Sequence, residues 1–365
     1  MITKSIKKIS FSLIKPKIIL VEGEGRKTAK EAIFQGLKNH LKIKKVSELP
    51  FFFKKDEVLI LENDKDFEFL MEKSSLPILV ITHVGDIPSN QDFFAGEEKE
   101  IKRAKKLAKI LPVFSYLVLN FDDETVREIK EKSRAHAILF GFDGTADLKV
   151  SDVKLNKGTN FKLHYNGSVL PVWLENTFGK EQIYAALVAC AIGKILKLNL
   201  VNVSQSLKNY HSLPGKMKLI EGIKNSWILD DSESATTFSM IEALEILGKI
   251  TSPSKFGREA APRKIAVLGD VVGIGKYTTQ AHEAIGEQVV KNTDILFIFG
   301  QRAKFIAKGA FEKGMALEKI FQFNRIEEGK LKLQDEIREG DLILVDGSKE
   351  MEMEKIVEEI KGPIV

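Results

Sequence analysis

The sequence predicts an α/β protein of two domains, each built on a mostly parallel sheet, and three observations lead to this fold class. Short apolar runs without polar alternation, such as residues 58–61 and 77–82, are typical of strands buried on both faces. These runs alternate with helical patterns and glycine turns. The chain of 365 residues is also long enough for two hydrophobic cores.

Composition narrows the functional classes. Lys and Arg number 56 against 51 Asp and Glu, and the resulting net charge of +5 is too small to indicate nucleic-acid binding. Cys190 is the only cysteine, which excludes a disulfide framework and a cysteine-based metal site. Residues 1–20 never reach the apolar length of a signal peptide or membrane helix, so we expect a cytoplasmic protein without membrane insertion.

The first predicted strand and helix enclose a glycine-bearing turn. Residues 17–21 read as the strand, residues 28–41 as the helix, and the turn holds Gly23, Gly25 and Lys27. In a nucleotide-phosphate loop, backbone N–H groups face the phosphates, a lysine neutralises their charge, and a following Ser or Thr holds magnesium. Thr28 follows Lys27 here. An ordinary strand-turn-helix with a basic helix start explains the pattern about as well.

Arg26 departs from that loop pattern, because the residue before the lysine is normally a glycine. If φ were positive at this position, a side chain would cost roughly 1 to 2 kcal/mol. We therefore expect weakened nucleotide binding.

Polar residues follow several other predicted strands. Glu62 follows the strand at 58–61, and Asn120, Asp122 and Asp123 follow the strand at 116–119. Ligands of α/β folds bind at this edge of the sheet. Glu62 is thus a candidate magnesium ligand or, alternatively, a solvated strand-end glutamate.

The remaining segments complete the two-domain outline. Residues 137–173 show short alternating segments with turns at Asp143-Gly144 and Asn166-Gly167, which predict antiparallel hairpins. In the second half, the strand patterns at 226–229, 264–268, 294–299 and 341–345 each precede a turn and a helix, which predicts a doubly wound, Rossmann-like domain. We expect Thr236 or Thr237 to cap a helix. Residues 251–263 are expected to form an exposed loop.

Four motifs of the second half, taken in order, resemble those of the Mur ligases. They are PGKM at 214–217, ILDDS at 228–232, KIAVLGDVVGIG at 264–275 with His282 and Gly286 after it, and GDLILVDGSKEMEMEKIV at 340–357. In the first half the resemblance continues at Gly23, Lys27, Thr28, Glu62, Ala104-Lys105 and Asn120 to Asp123. The resemblance implies a lead-in at 1–16, a P-loop-type central ATPase domain at 17–210 and the C-terminal domain at 211–365.

The resemblance is greatest to the members that add D-alanyl-D-alanine to a UDP-N-acetylmuramoyl peptide in peptidoglycan synthesis. It implies that ATP and Mg²⁺ convert a substrate carboxylate into an acyl phosphate, which an amine then attacks. The roles carried over are phosphate or nucleotide contacts for Gly23, Gly25, Lys27, Thr28, Asn120, Lys216 and Asp231, and metal contacts for Thr28, Glu62 and a carbamylated Lys105, with Lys27 and Lys105 as catalytic residues.

Several positions depart from the family pattern. Glu181 and Gln182 replace a His and an Asn, Lys216 replaces an arginine, and Asp346 replaces a lysine. Only residues 1–16 precede the phosphate loop, so we expect a partner protein to supply the UDP-sugar-binding domain. Two alternatives stay open: a non-catalytic relative that serves as a binding or regulatory module, and an amide ligase for another acid, such as a folate or an amino-acid polymer.

Overall fold

The computed structural model describes residues 2–62, 66–84, 98–233, 235–251 and 261–362. The chain divides into two compact units. The first comprises residues 1–153, 160–174 and 180–210, and the second comprises residues 154–159, 175–179 and 211–365.

The first unit is built around a nine-stranded sheet. Its helices and strands are, in chain order, α1 (Ile2–Ile14), β1 (Lys17–Glu22), α2 (Arg26–Leu37), β2 (Ile43–Lys45), β3 (Val58–Glu62), α3 (Phe67–Lys73), β4 (Leu76–Ile81), α4 (Glu98–Lys109), β5 (Tyr116–Asn120), α5 (Glu124–Glu131), β6 (His136–Gly141), β7 (Leu148–Leu155), β8 (Gly158–Tyr165), β9 (Ser168–Glu175), α6 (Lys180–Ile195) and α7 (Leu200–Leu207). The strand order is β2-β3-β1-β4-β5-β6-β7-β8-β9.

Strand β1 lies inside this sheet, paired in parallel with β3 on one side and β4 on the other. Its residues alternate between two cores: Ile19 and Val21 pack with α2 and α6, while Ile18 and Leu20 pack on the opposite face. Both faces are covered, which is why the strand carries no polar alternation. The predicted α/β class is confirmed.

The predicted hairpin at Asp143-Gly144 is wrong. Strands β6 and β7 pair in parallel over two residues, Phe140 with Leu148 and Gly141 with Lys149. The Asp122 carboxylate accepts the N–H groups of Phe142 and Asp143 and so holds the connection after β6. Strand β7 then runs in the same direction as β6. By contrast, Asn166 and Gly167 both have positive φ and join β8 to β9, as expected for a two-residue hairpin turn.

The second unit contains a six-stranded sheet. Its elements are β10 (Lys218–Glu221), β11 (Trp227–Asp231), α8 (Thr237–Lys249), β12 (Lys264–Gly269), α9 (Thr278–Asn292), β13 (Ile295–Phe299), α10 (Lys304–Glu312), β14 (Ile320–Phe323), α11 (Ile326–Glu336), β15 (Leu342–Asp346) and α12 (Glu354–Ile360). The order is β10-β11-β15-β12-β13-β14, and only β10 is antiparallel to its neighbour. Separate apolar clusters cover the two faces, so this unit is the doubly wound, Rossmann-like domain that was predicted.

The helix starts follow local sequence. Thr236 caps α8 by accepting the Ser239 N–H, and the Ser239 hydroxyl bonds back to the Thr236 N–H, which forms a capping box. Most of the predicted loop at 251–263 lies outside the described residues.

Helices α9 and α10 approach so closely that Gly286 has no room for a side chain. A Cβ built there would lie 2.3 Å from the Ile306 carbonyl oxygen and 2.6 Å from the Ala310 nitrogen. We expect Gly286→Ala to lower the free energy of unfolding by about 1–3 kcal/mol, because overpacking outweighs the better helix propensity of alanine. Urea unfolding measures this change. Gly144→Ala is the control, since no atom lies within 4 Å of its built Cβ, and equal losses in both variants would contradict the packing explanation.

Candidate functional site

The turn between β1 and α2 carries two left-handed glycines. Gly23 has φ 100° and Gly25 has φ 74°. A Cβ at Gly23 would lie 2.5 Å from the His83 carbonyl oxygen, just after β4, and the Glu24 N–H donates to that same oxygen at 2.7 Å. The turn is therefore held against the neighbouring strand at the carboxyl edge of the sheet.

Arg26 is not strained. It is the first residue of α2 and has no positive φ, because the left-handed position that needs a glycine is Gly25. The Arg26 guanidinium folds back and donates to the Gly23 carbonyl at 3.1 Å. The cost expected from a side chain at positive φ does not arise.

Helix α2 begins with an excess of positive charge. Arg26, Lys27 and Lys30 lie in its first five residues, and its first turn contains no acidic residue. A helix N-terminus already carries partial positive charge, so this arrangement favours an anion near the turn. Lys27 is exposed on this helix start.

Thr28 is fully buried and faces a different element. Its hydroxyl donates to Oε1 of Glu181, in the first turn of α6. Glu181 also lies against the turn, since a Cβ at Gly25 would lie 3.1 Å from the Glu181 Cγ. From the sequence, Glu181 was noted only as a replacement of a histidine in the family pattern and was not predicted as a site residue. In the structure its side chain lies in the candidate site, against Thr28 and Gly25.

The carboxylate of Glu62, the last residue of β3, is paired with two cationic side chains from α2. The Lys30 ammonium donates to Glu62 Oε1 at 2.6 Å, and the Arg26 Nε lies 3.9 Å from Glu62 Oε2. That second oxygen is buried and accepts no hydrogen bond from the described residues. Lys30 was not predicted as a site residue, although it lies one helical turn after Arg26 and therefore on the same face.

Lys105 lies away from these groups. Arg103 in α4 holds Glu22, at the end of β1, with two bonds of 3.0 and 2.9 Å. Lys105, two residues later and on another side of the helix, donates to Glu128 of α5 at 3.0 Å. The structure therefore does not place Lys105 beside Thr28 or Glu62.

The polar side chains at the end of β5 and just after it accept hydrogen bonds from nearby parts of the chain. Asn120 is buried and accepts the Asp122 N–H at 3.1 Å. Asp122 accepts the Tyr184 hydroxyl at 2.9 Å as well as the turn after β6. Asp123 caps α5 and accepts the Val84 N–H at 2.8 Å. Gln182 is likewise buried, and its side-chain oxygen accepts the Tyr210 hydroxyl at 2.6 Å.

The structure engages each predicted magnesium ligand with another side chain. Thr28 and Glu62, which the resemblance places on one ion, contact Glu181 and Lys30 respectively, and Lys105, which it places on a second ion, pairs with Glu128. The pairs of Glu62 with Lys30 and of Lys105 with Glu128 already balance the charge. Among the described residues, no group of three or more His, Cys, Asp or Glu side chains could hold a metal. Of these three contacts, only that of Thr28 with Glu181 joins two oxygen atoms, and oxygen atoms are the ligands that Mg²⁺ prefers.

In the second unit, the end of β11 holds the predicted PGKM turn. Asp230 Oδ2 accepts the Gly215 N–H at 2.8 Å, and Asp231 Oδ1 accepts the Met217 N–H at 3.1 Å. These two bonds fix the backbone on both sides of Lys216. Lys216 and Asp231, the predicted nucleotide contacts of this unit, are thus positioned by one turn.

Comparison with known proteins agrees with this architecture. Residues 71–193 match the family model described as the Mur ligase middle domain. The chain is 24% identical over 226 residues to the UDP-N-acetylmuramoyl-tripeptide--D-alanyl-D-alanine ligase of Bacillus subtilis, which covers 60% of this chain and 46% of the relative. This part of the chain is therefore similar to the Mur ligases.

Two further matches extend the likeness to Mur ligases beyond residues 71–193. The UDP-N-acetylmuramate--L-alanine ligase of Dictyoglomus turgidum is 26% identical over 306 residues, which is 80% of this chain and 62% of the relative. The MurF ligase from Thermotoga maritima, solved with ADP, superposes with a TM-score of 0.76 at 19% identity and covers 98% of this chain and 83% of that one. The chain spans less than two thirds of the length of these curated relatives.

Within its described residues, the chain contains no helix that is both long and apolar enough to cross a membrane.

Asp346 is an unusual ionisable group in the second unit. It ends β15, is fully buried, and neither carboxyl oxygen has a hydrogen-bond partner among the described residues. Burial raises the pKa of Asp346 to about 8, and the Asp230 carboxylate adds to the rise. The nearby Gly347 N–H and the Lys216 ammonium oppose the shift electrostatically, without a hydrogen bond to either oxygen, and do not reverse it. The raised pKa favours the protonated form of Asp346 at neutral pH.

This raised pKa makes folding stability depend on pH. Between about pH 4 and pH 8 the folded state keeps a proton on Asp346 that the unfolded chain has lost, so stability falls as pH rises, by up to about 1.4 kcal/mol per pH unit. We expect Asp346→Asn to be more stable than the native chain near pH 8 and to lose less stability between about pH 5 and pH 8. Urea unfolding across that range measures both. Asp335→Asn, on the exposed side of α11, is the control, and identical pH slopes for the Asp346 variant and the native chain would contradict the assignment.

Proposed function

We propose that this chain binds ATP at the turn 23–28 and acts as a divergent ATP-dependent amide ligase of the MurF type, which adds D-alanyl-D-alanine to a UDP-N-acetylmuramoyl peptide in peptidoglycan synthesis. One observation carries the proposal: a turn with two left-handed glycines follows an internal parallel strand and leads into a helix whose first five residues include three cations and no acid. That combination suits a polyphosphate.

The residues of the turn take distinct roles. The Glu24 N–H is already bonded to His83, so the phosphate contacts come from the first turn of α2, whose N–H groups have no acceptor within the helix. Lys27 supplies the charge that neutralises the terminal phosphates. Gly23 and Gly25 supply the backbone conformation that brings this helix start to the edge of the sheet.

Other assigned roles rest on the family resemblance. Asp231 and Lys216 are proposed to contact the ribose and the phosphates of the nucleotide, respectively. The turn that holds Lys216 is fixed by backbone hydrogen bonds to Asp230 and to Asp231 itself. Lys105 becomes a metal ligand in this proposal only after carbamylation. Carbamylation would turn its cation into an anion facing the Glu128 carboxylate, so Lys105 would have to leave that pair.

The chemistry consists of two displacements. The substrate carboxylate attacks the γ-phosphorus of ATP, which releases ADP and forms an acyl phosphate. The amine of D-alanyl-D-alanine then attacks the acyl carbon, and inorganic phosphate and a proton leave. The contribution of the chain is to position the groups and neutralise the phosphate charge.

Replacing Lys27 tests the phosphate contact. We expect Lys27→Ala to weaken ATP binding by about 1.5–3 kcal/mol, roughly ten- to hundredfold in Kd, because a charged hydrogen bond to phosphate is lost. Isothermal titration calorimetry with ATP and magnesium measures it. Lys38→Ala, at the exposed C-terminal end of the same helix, removes an equal charge and should leave Kd unchanged. Equal Kd values for the native chain and Lys27→Ala would refute the site.

Ligase activity has its own measurement. Phosphate release with a UDP-N-acetylmuramoyl tripeptide and D-alanyl-D-alanine should require both substrates, and mass spectrometry should detect the amide product. If ATP binds but neither appears, even when a separately expressed UDP-sugar-binding domain is added, the chain is not a ligase of this type. Release with another carboxylic acid and amine would indicate an amide ligase of different specificity.

A specific observation favours the second candidate function, a non-catalytic nucleotide-binding or regulatory module. Glu62 and Lys105 are both neutralised by partners within the chain, and Asn120 and Asp123 are used in local structure. Under this function ATP binding depends on Lys27, while no substrate pair increases phosphate release.

A further inference from the structure

We propose that Glu181, and not Glu62, is the carboxylate that holds a divalent cation in this chain, together with the Thr28 hydroxyl and the phosphates of a bound nucleotide. The proposal rests on the proposed nucleotide site and identifies its metal ligand. The observation behind it is that the strand-end carboxylate is neutralised by a lysine, while a second carboxylate contacts the loop threonine.

Glu62 is unsuited to a cation. A metal on Oε1 would have to displace the Lys30 ammonium, which lies 2.6 Å from that oxygen. A metal on Oε2 would lie within a few ångströms of the Lys30 ammonium and of the Arg26 Nε, itself 3.9 Å from Oε2. Both cations are only partly exposed, so solvent screens their repulsion of a divalent ion weakly.

Glu181 has the opposite surroundings. Its Oε1 accepts a hydrogen bond from an uncharged group, the Thr28 hydroxyl. Adjacent oxygen ligands of an octahedral Mg²⁺ are about 3 Å apart, given metal–oxygen distances near 2.1 Å. The hydrogen-bonded pair needs only a small separation to present both oxygens to one ion.

The position of Glu181 also matches a nucleotide-bound metal. The loop backbone at Gly25 lies against the Glu181 side chain, 3.1 Å from a built Cβ to Cγ. Phosphates held by the first turn of α2 would therefore lie beside both Thr28 and Glu181. Mg²⁺ commonly binds one or two protein oxygens and completes its shell with phosphate oxygens and water. Two protein ligands are too few to hold the ion alone, so we expect it to bind only with the nucleotide.

Manganese provides the readout, because electron paramagnetic resonance detects free Mn²⁺ directly. Titrations use the full chain with Mn²⁺ alone, and with Mn²⁺ plus a non-hydrolysable ATP analogue kept below the chain concentration so that nearly all of the analogue is protein-bound. The same analogue without the chain measures the Mn²⁺ that the nucleotide binds by itself, and this amount is subtracted. We expect no Mn²⁺ binding without nucleotide and clear binding with it. Glu181→Gln should weaken Mn²⁺ binding in the ternary complex about tenfold or more, while the matched Glu62→Gln should leave it within about threefold. Both substitutions remove one charge and keep the side-chain size.

The outcomes separate the two levels of the proposal. Weakening in Glu62→Gln but not in Glu181→Gln, or no weakening in either, overturns the metal assignment and leaves the nucleotide site standing. Calorimetry that detects no binding of the ATP analogue to the native chain overturns both. Glu181→Asp keeps a carboxylate and should retain more Mn²⁺ affinity than Glu181→Gln, whereas equal loss in both points to disturbed packing and contradicts a ligand role. Circular dichroism verifies that each variant is folded.

Discussion

The close approach of Gly23 to the end of β4 is the constraint on which the first unit's site depends. A side chain at Gly23 would collide with the His83 carbonyl, and the Glu24 N–H binds that same oxygen. The chain then turns through a second left-handed residue, Gly25, before α2 begins. Where α2 begins determines what each residue after it faces.

Helical geometry distributes the cations and the hydroxyl from that starting point. Lys27 is exposed, Thr28 is buried against Glu181 in α6, and Lys30 reaches Glu62 in β3. The contact of Thr28 joins α2 to α6, and the contact of Lys30 joins α2 to β3. A helix begun one residue later would rotate every side chain by about 100° and break all of them. The charge pairing at this edge of the sheet therefore follows from a backbone constraint.

Carboxylates at strand ends are stabilised in different ways in the two units. In the first unit, carboxylates at strand ends are paired with cations, as Glu22 is with Arg103 and Glu62 with Lys30. In the second unit Asp346 is buried between β11 and β12 without a hydrogen bond, and proton uptake replaces ion pairing. Burying a carboxylate without a partner costs more than protonating it, so desolvation sets its state.

The sequence by itself determined the fold class, the parallel strands and a glycine turn after β1, because burial on both faces and glycine spacing are local signals. It placed the start of the following helix at residue 28, two residues after its true start at Arg26. It also limited the cap of α8 to Thr236 or Thr237, of which Thr236 is the cap. Only the tertiary structure decided that Arg26 is unstrained, that β6 and β7 run in parallel, and that Glu181 meets Thr28 across 153 positions of sequence. The physical reason is the same in each case. These outcomes depend on which elements pack side by side and on where a helix begins to within one residue, and no local pattern encodes either.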